Sequence, residues 1–259
     1  MVEVRTIGRL TTGAPPIVML HEGLGSASIW RDLPEHLAER TGLAVIAYSR
    51  LGYGWSDAVP LPRPPTFLHD ETEGPLPALL DALGVRETIL FGHSDGATIA
   101  LLFAARFPGR VRGVIALAPH LFVEPVSLAG IHEAGRAFRE TDLRARLARH
   151  HLHVDVAFRG WHDTWVDPRF SDVLALVPDV AKIVAPILAI QGDHDEYGTF
   201  AQLDALAAAS GGSVETRRMS GVGHSPHRDR EASILDETGR FIDALFSSDR
   251  AASCAIVSG

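Results

Sequence analysis

The pentapeptide Gly92-His93-Ser94-Asp95-Gly96 sets a serine between two glycines, directly after the apolar run Thr88–Phe91 and before a helix-like segment, Ala97–Phe107. A sharp strand-to-helix turn of this G-x-S-x-G type exposes the hydroxyl as a nucleophile, and its glycines let neighbouring backbone approach closely. A serine hydroxyl is a weak nucleophile near neutral pH, so it needs a base and a group that orients the base. Asp195, in Gln191-Gly192-Asp193-His194-Asp195, follows the run Pro186–Ile190. His224, in Gly221-Val222-Gly223-His224, follows Val214–Met219 and precedes the last helical segment. The order Ser94, Asp195, His224 is the one a nucleophile elbow on an α/β sheet calls for. Two rivals remain open: Asp193 as the orienting acid, with a turn or cap as its plainer role, and His227 near the start of the last helix. The chain has 13 histidines, so position rather than presence singles out His224.

Acyl transfer also needs backbone N–H groups aimed at the developing oxyanion. Asp95, the residue after the serine, supplies one candidate. The loop His21-Glu22-Gly23-Leu24-Gly25-Ser26, after the run Ile17–Leu20, supplies the other: Gly23, or Leu24 if the register differs by one. Glu22 places a carboxylate beside this loop. Trp161 and Trp165 stand four apart and share a face if helical. They either wall an apolar pocket or pack a lid onto the main domain. Leu24 and His93 join them as candidate substrate-binding residues.

These residues need a scaffold that brings distant segments to one edge. The short apolar runs Ile17–Leu20, Leu43–Tyr48, Thr88–Phe91, Val111–Ala118 and Pro186–Ile190 read as strands buried on both faces of a parallel sheet. The more polar Val214–Met219 reads as an edge strand. Helical spacing predicts helices over Ile29–Arg40, Leu76–Leu83, Ala97–Phe107, Leu203–Ala209 and Ala232–Phe246. The alternation predicts an α/β fold with a doubly wound, mostly parallel sheet. From 120 to 182 no strand is expected, only helix-like segments rich in Arg, His and Trp. This stretch is expected to form a helical cap over the C-terminal strand ends. The expected division is therefore a core of 1–119 and 183–247, a cap of 120–182 and a disordered tail of 248–259.

Composition narrows the function classes. The chain has 259 residues, a formal net charge of −8, 46% hydrophobic and 22% charged residues, which fits one soluble globular domain. The negative charge gives no electrostatic footprint for nucleic acid or an anionic membrane. Cys254 is the only cysteine, so an intrachain disulfide framework is excluded. No apolar stretch approaches the ~20 residues of a membrane span, and no signal peptide is recognised, so a cytoplasmic protein is expected. His151-Leu152-His153-Val154-Asp155, with His150 before it, resembles a metal-ligand cluster. Metal sites need several convergent ligands and a second shell, which makes a metal-dependent hydrolase the minor alternative.

Taken together, the His21–Ser26 loop, Ser49–Ser56, the Ser94 elbow, Gly192–Asp195 and Gly223-His224 resemble the α/β-hydrolase superfamily across most of Ile17–Phe246. The resemblance departs at Glu22, where the usual His-Gly pair reads His21-Glu22. It implies a Ser–His–Asp triad, a cap and no required cofactor. The expected activity is hydrolysis of a small carboxylic ester or related small-molecule acyl substrate. Carbon–carbon, lactone and aminoacyl-amide hydrolysis are alternatives on the same residues, and a non-catalytic ligand-binding protein is a further one. The sequence carries no indication of oligomeric state.

Overall fold

In a computed structural model, residues 1–11 and 13–257 are described, with side chains described to residue 247. Seven strands form one sheet: β1 (Val4–Ile7), β2 (Ile17–Leu20), β3 (Val45–Tyr48), β4 (Thr88–His93), β5 (Val111–Leu117), β6 (Ile187–Gly192) and β7 (Val214–Met219). Their order is β1-β3-β2-β4-β5-β6-β7. β1 runs antiparallel to β3, and the other neighbours pair in parallel. This is the doubly wound, mostly parallel sheet expected from the sequence.

Successive side chains of a strand point to opposite faces, and both faces are covered. Val18, Leu20, Ile46, Leu90, Val114 and Ala189 join one apolar cluster, while Ile17, Met19, Val45, Phe91, Ile115 and Leu188 join a second. The second lies under α1 (Leu33–Thr41) and the last helix. The first lies under α2 (Phe67–Glu73), α3 (Pro75–Ala82) and α4 (Asp95–Arg106). α4 is buried along most of its length, from Asp95 to Ala104. A helix that is apolar nearly all round belongs inside a domain.

Between β5 and β6 lie five helices: α5 (Pro125–Glu140), α6 (Leu143–Leu147), α7 (Val154–Trp165), α8 (Pro168–Val173) and α9 (Val177–Val180). Phe158, Trp161, Trp165 and Phe170 of this insertion pack in the same apolar cluster as α4. The rest of the chain adds α10 (Ala201–Ala209), α11 (Pro226–Asp229) and α12 (Glu231–Val257).

Local departures from expectation have local causes. The single helix expected over Ile29–Arg40 is a 3₁₀ turn at Ala27–Trp30 followed by α1, because Arg31 takes φ 53 and breaks the run. β1 and α2 were not anticipated. The backbone of α12 continues to Val257, well past the expected end at Phe246. The tail expected to be disordered falls mostly on residues whose side chains or placement lie outside the described residues. Among the described residues no helix is long and apolar enough to cross a membrane.

Candidate active site

The elbow is built by backbone contact. A Cβ on Gly92 would strike the Gly96 carbonyl and Ala97 Cα, and one on Gly96 would strike the carbonyl of Leu20 at the end of β2. Only glycine lets β4, the turn and α4 approach this closely. Ser94 sits between them at φ 53, ψ −120, and its N–H donates to the Leu117 carbonyl at 2.9 Å. That strained backbone lifts the side chain off the sheet. It also stands at the N-terminus of α4, where the helix dipole favours negative charge.

Three side chains from different strand ends meet there. The Ser94 hydroxyl lies 2.9 Å from His224 Nε2, and His224 Nδ1 lies 2.8 Å from Asp195 Oδ1. Asp195 follows β6, and His224 lies between β7 and α11. The Tyr197 and Gly198 N–H groups donate to the same Oδ1 at 2.8 and 3.2 Å, while Gln191 Nε2 donates to Oδ2 at 3.0 Å. Burial opposes ionisation of Asp195, but its bond to and attraction for His224, with the Tyr197 N–H, outweigh it and bring the carboxyl down to about 2. An anionic, acceptor-only Asp195 fixes the His224 proton on Nδ1 and leaves Nε2 free to accept from Ser94. The arrangement can therefore move a proton from the serine to the imidazole.

The rivals are placed elsewhere. Asp193 accepts from Ser220 Oγ at 3.0 Å and the Gly221 N–H at 2.7 Å, tying the loop after β6 to the loop after β7. His227 is buried, with its ring 5.0 Å from Trp30 and 4.7 Å from His93. His93 is also buried, and its Nε2–H donates to the His224 carbonyl at 2.7 Å. It thus pins the loop that carries the candidate base.

Among the described residues, the backbone N–H groups of Gly23, Leu24 and Asp95 have no acceptor in the protein. Buried N–H groups are rarely left so; Gly23 and Leu24 line a cavity of about 230 Å³ together with Ser94, the residue before Asp95, and Trp161, Trp165 and His224, among others. His93 lines it as well. Sequence reasoning left out several neighbours. Arg228 donates to Glu22 Oε1 at 2.9 Å at the cavity wall. Burial works against charge on Glu22, yet His93 and Arg228 hold its carboxyl well below the usual range. Its out-of-family position was the one available sign of a special role. Gln191 and Tyr197 sit next to Asp195 and carried no distinct signal.

The metal alternative is corrected by the geometry. The Gly54 N–H donates to His151 Nδ1 at 2.9 Å, and His151 Nε2–H donates to the Leu24 carbonyl at 3.0 Å. Asp155 receives two bonds from Arg144, at 2.9 and 2.6 Å. Both ring nitrogens of His151 are thus engaged, Asp155 is ion-paired with Arg144, and no group of three or more candidate ligands is gathered among the described residues.

The profile of the family described as alpha/beta hydrolase fold matches residues 15–151, more than half of the chain. The chain belongs to this family. Relatives of this α/β hydrolase include a proline iminopeptidase from Lactobacillus helveticus, 33% identical over 89 residues, which are 34% of this chain and 30% of that protein. The chain thus matches under a third of that relative's length. Two solved structures align over nearly the whole chain. MGS-M2, an alpha/beta hydrolase enzyme from a Medee basin deep-sea metagenome library, has a TM-score of 0.71 at 18% identity, covering 95% of this chain and 94% of that one. Est816, described as an N-acyl homoserine lactone degrading enzyme, has a TM-score of 0.68 at 25% identity, covering 93% and 96%.

Proposed function

We propose that this α/β hydrolase is a serine hydrolase that cleaves a small carboxylic ester, or a related acyl compound, through an acyl-enzyme on Ser94. The observation that carries the proposal is the continuous chain Ser94 Oγ–His224 Nε2 and His224 Nδ1–Asp195 Oδ1, at 2.9 and 2.8 Å. Ser94 Oγ attacks the substrate carbonyl as its proton passes to His224 Nε2. The carbonyl oxygen becomes an oxyanion held by the N–H of Asp95 and that of Gly23, with Leu24 the alternative second donor. His224 returns the proton to the leaving group as the carbon–oxygen bond breaks. Water then attacks the acyl-enzyme by the same route, releasing the acid and restoring Ser94. Asp195 stays ionised throughout and stabilises the imidazolium.

The cavity's size suits a small substrate, and Trp161 and Trp165 suit an apolar acyl group. A lactone is the second reading, supported by the likeness to Est816 over nearly its whole length. An aminoacyl amide has the shorter match to the iminopeptidase behind it. Rapid mixing with p-nitrophenyl acetate and butyrate tests the acyl-enzyme. A burst of about one nitrophenolate per enzyme before steady turnover is expected when deacylation limits. Turnover of neither ester, nor of lactone or aminoacyl-amide panels, would overturn the proposal.

A further inference from the structure

The insertion between β5 and β6 touches both backbone stretches that carry the candidate oxyanion donors. Ahead of α7, the buried His151 accepts the Gly54 N–H at Nδ1, which leaves its proton on Nε2 to donate to the Leu24 carbonyl at 3.0 Å. Burial lowers the His151 pKa and so favours the neutral ring this pairing needs. Within α7, Trp161 lies against Gly23, where a Cβ would collide with its indole Nε1 and Cδ1. One turn later, Trp165 Nε1–H donates to Asp95 Oδ1 at 3.1 Å. Asp95 is fully buried, and its Oδ2 has no partner among the described residues. Among the described residues the indole is therefore the one side chain hydrogen-bonded to the carboxyl of the residue after the serine.

We propose that the insertion sets the oxyanion hole: His151 and Trp165 are positioning residues that fix the Gly23–Leu24 backbone and the Asp95 end of α4. The donors reach their working separation only when α7 is seated on the core. This rests on the serine-hydrolase proposal. Contacts that matter only when charge builds on the carbonyl oxygen raise kcat and leave KM alone, and a misplacement of about 1 Å costs up to about 10²-fold.

The test is Trp165→Phe, which keeps a ring and removes the N–H, beside His151→Leu, with Ser94→Ala as control. Each of the first two is expected to lower kcat on p-nitrophenyl butyrate about tenfold while KM stays within about twofold. Affinity for butylboronic acid, which becomes tetrahedral on Ser94, should fall by a similar factor, whereas affinity for butyrate should not. A cap serving only to cover the site would move KM and both affinities together. The two variants break bonds at opposite ends of the clamp, so if circular dichroism shows one unfolded, the other decides. Wild-type kcat, or unchanged boronate affinity, in the folded variants overturns the clamp. Hydrolysis surviving in Ser94→Ala would instead overturn the underlying serine mechanism.

Discussion

Ser94→Ala is expected to lower kcat by about 10⁴-fold or more, leaving the residue of rate enhancement that binding and oxyanion donors provide. The substitution removes one buried-edge hydroxyl and keeps the turn. Alanine at φ 53 is no less tolerable than serine there, and the bond from the residue's N–H to the Leu117 carbonyl does not involve the side chain. Folding and KM should therefore change little. His224→Ala should cost a similar factor, and the double variant no more than either single one, because the two side chains act as a unit. Steady-state kinetics of the three variants on the best ester check this. Additive losses would mean that the two groups work independently, against the 2.9 Å contact between them.

Asp195→Asn should lower kcat about 10³-fold, less than the ~10⁴ seen where an amide forces the imidazole into the wrong tautomer. The reason is local. Oδ1, the atom facing His224, also accepts the Tyr197 and Gly198 N–H groups, so an asparagine must place its carbonyl there. Its NH₂ would then meet Gln191, whose Oε1 is buried without a partner and can turn to accept. The tautomer survives, and what is lost is the charge that stabilises the imidazolium. The same carboxylate contributes stability. Its folded pKa of about 2 lies below the ordinary 3.8, so the contribution is complete above the ordinary value and is lost as pH falls through about 2. Urea midpoints of wild type and Asp195→Asn should differ at neutral pH and converge toward about pH 2. A kcat within tenfold of wild type would remove Asp195 from the mechanism.

The central sheet was legible because its strands are buried on both faces and read as continuous apolar runs: Ile17–Leu20, Val45–Tyr48 and Ile187–Ile190. β1 was not. Its Val-Arg-Thr-Ile pattern is short and half-exposed, and it pairs on one side only, at the sheet edge. α2 follows a proline-rich stretch from Pro60 to Pro65 and has no apolar stripe long enough to stand out.

At the site, the placement of Ser94 between strand and helix was a local property, readable from its flanking glycines. Asp195 and Asp193 could not be separated by spacing. The separation comes from Ser220 and Gly221, which bind Asp193 from the next strand connection. His151 misled for a related reason: its H-x-H-x-D spacing suggests a ligand, but its partners Leu24 and Gly54 lie about a hundred residues away in sequence. Arg228 pairs with Glu22 across 206 residues and left no local trace.

The most direct test of the central claim is incubation of the purified protein with a fluorophosphonate, followed by intact-mass and peptide mass spectrometry. One phosphonyl group per chain, on the peptide holding Ser94 and lost or greatly slowed in His224→Ala, is the result expected of a hydroxyl activated by that imidazole. No adduct, or an adduct on another residue, would contradict it.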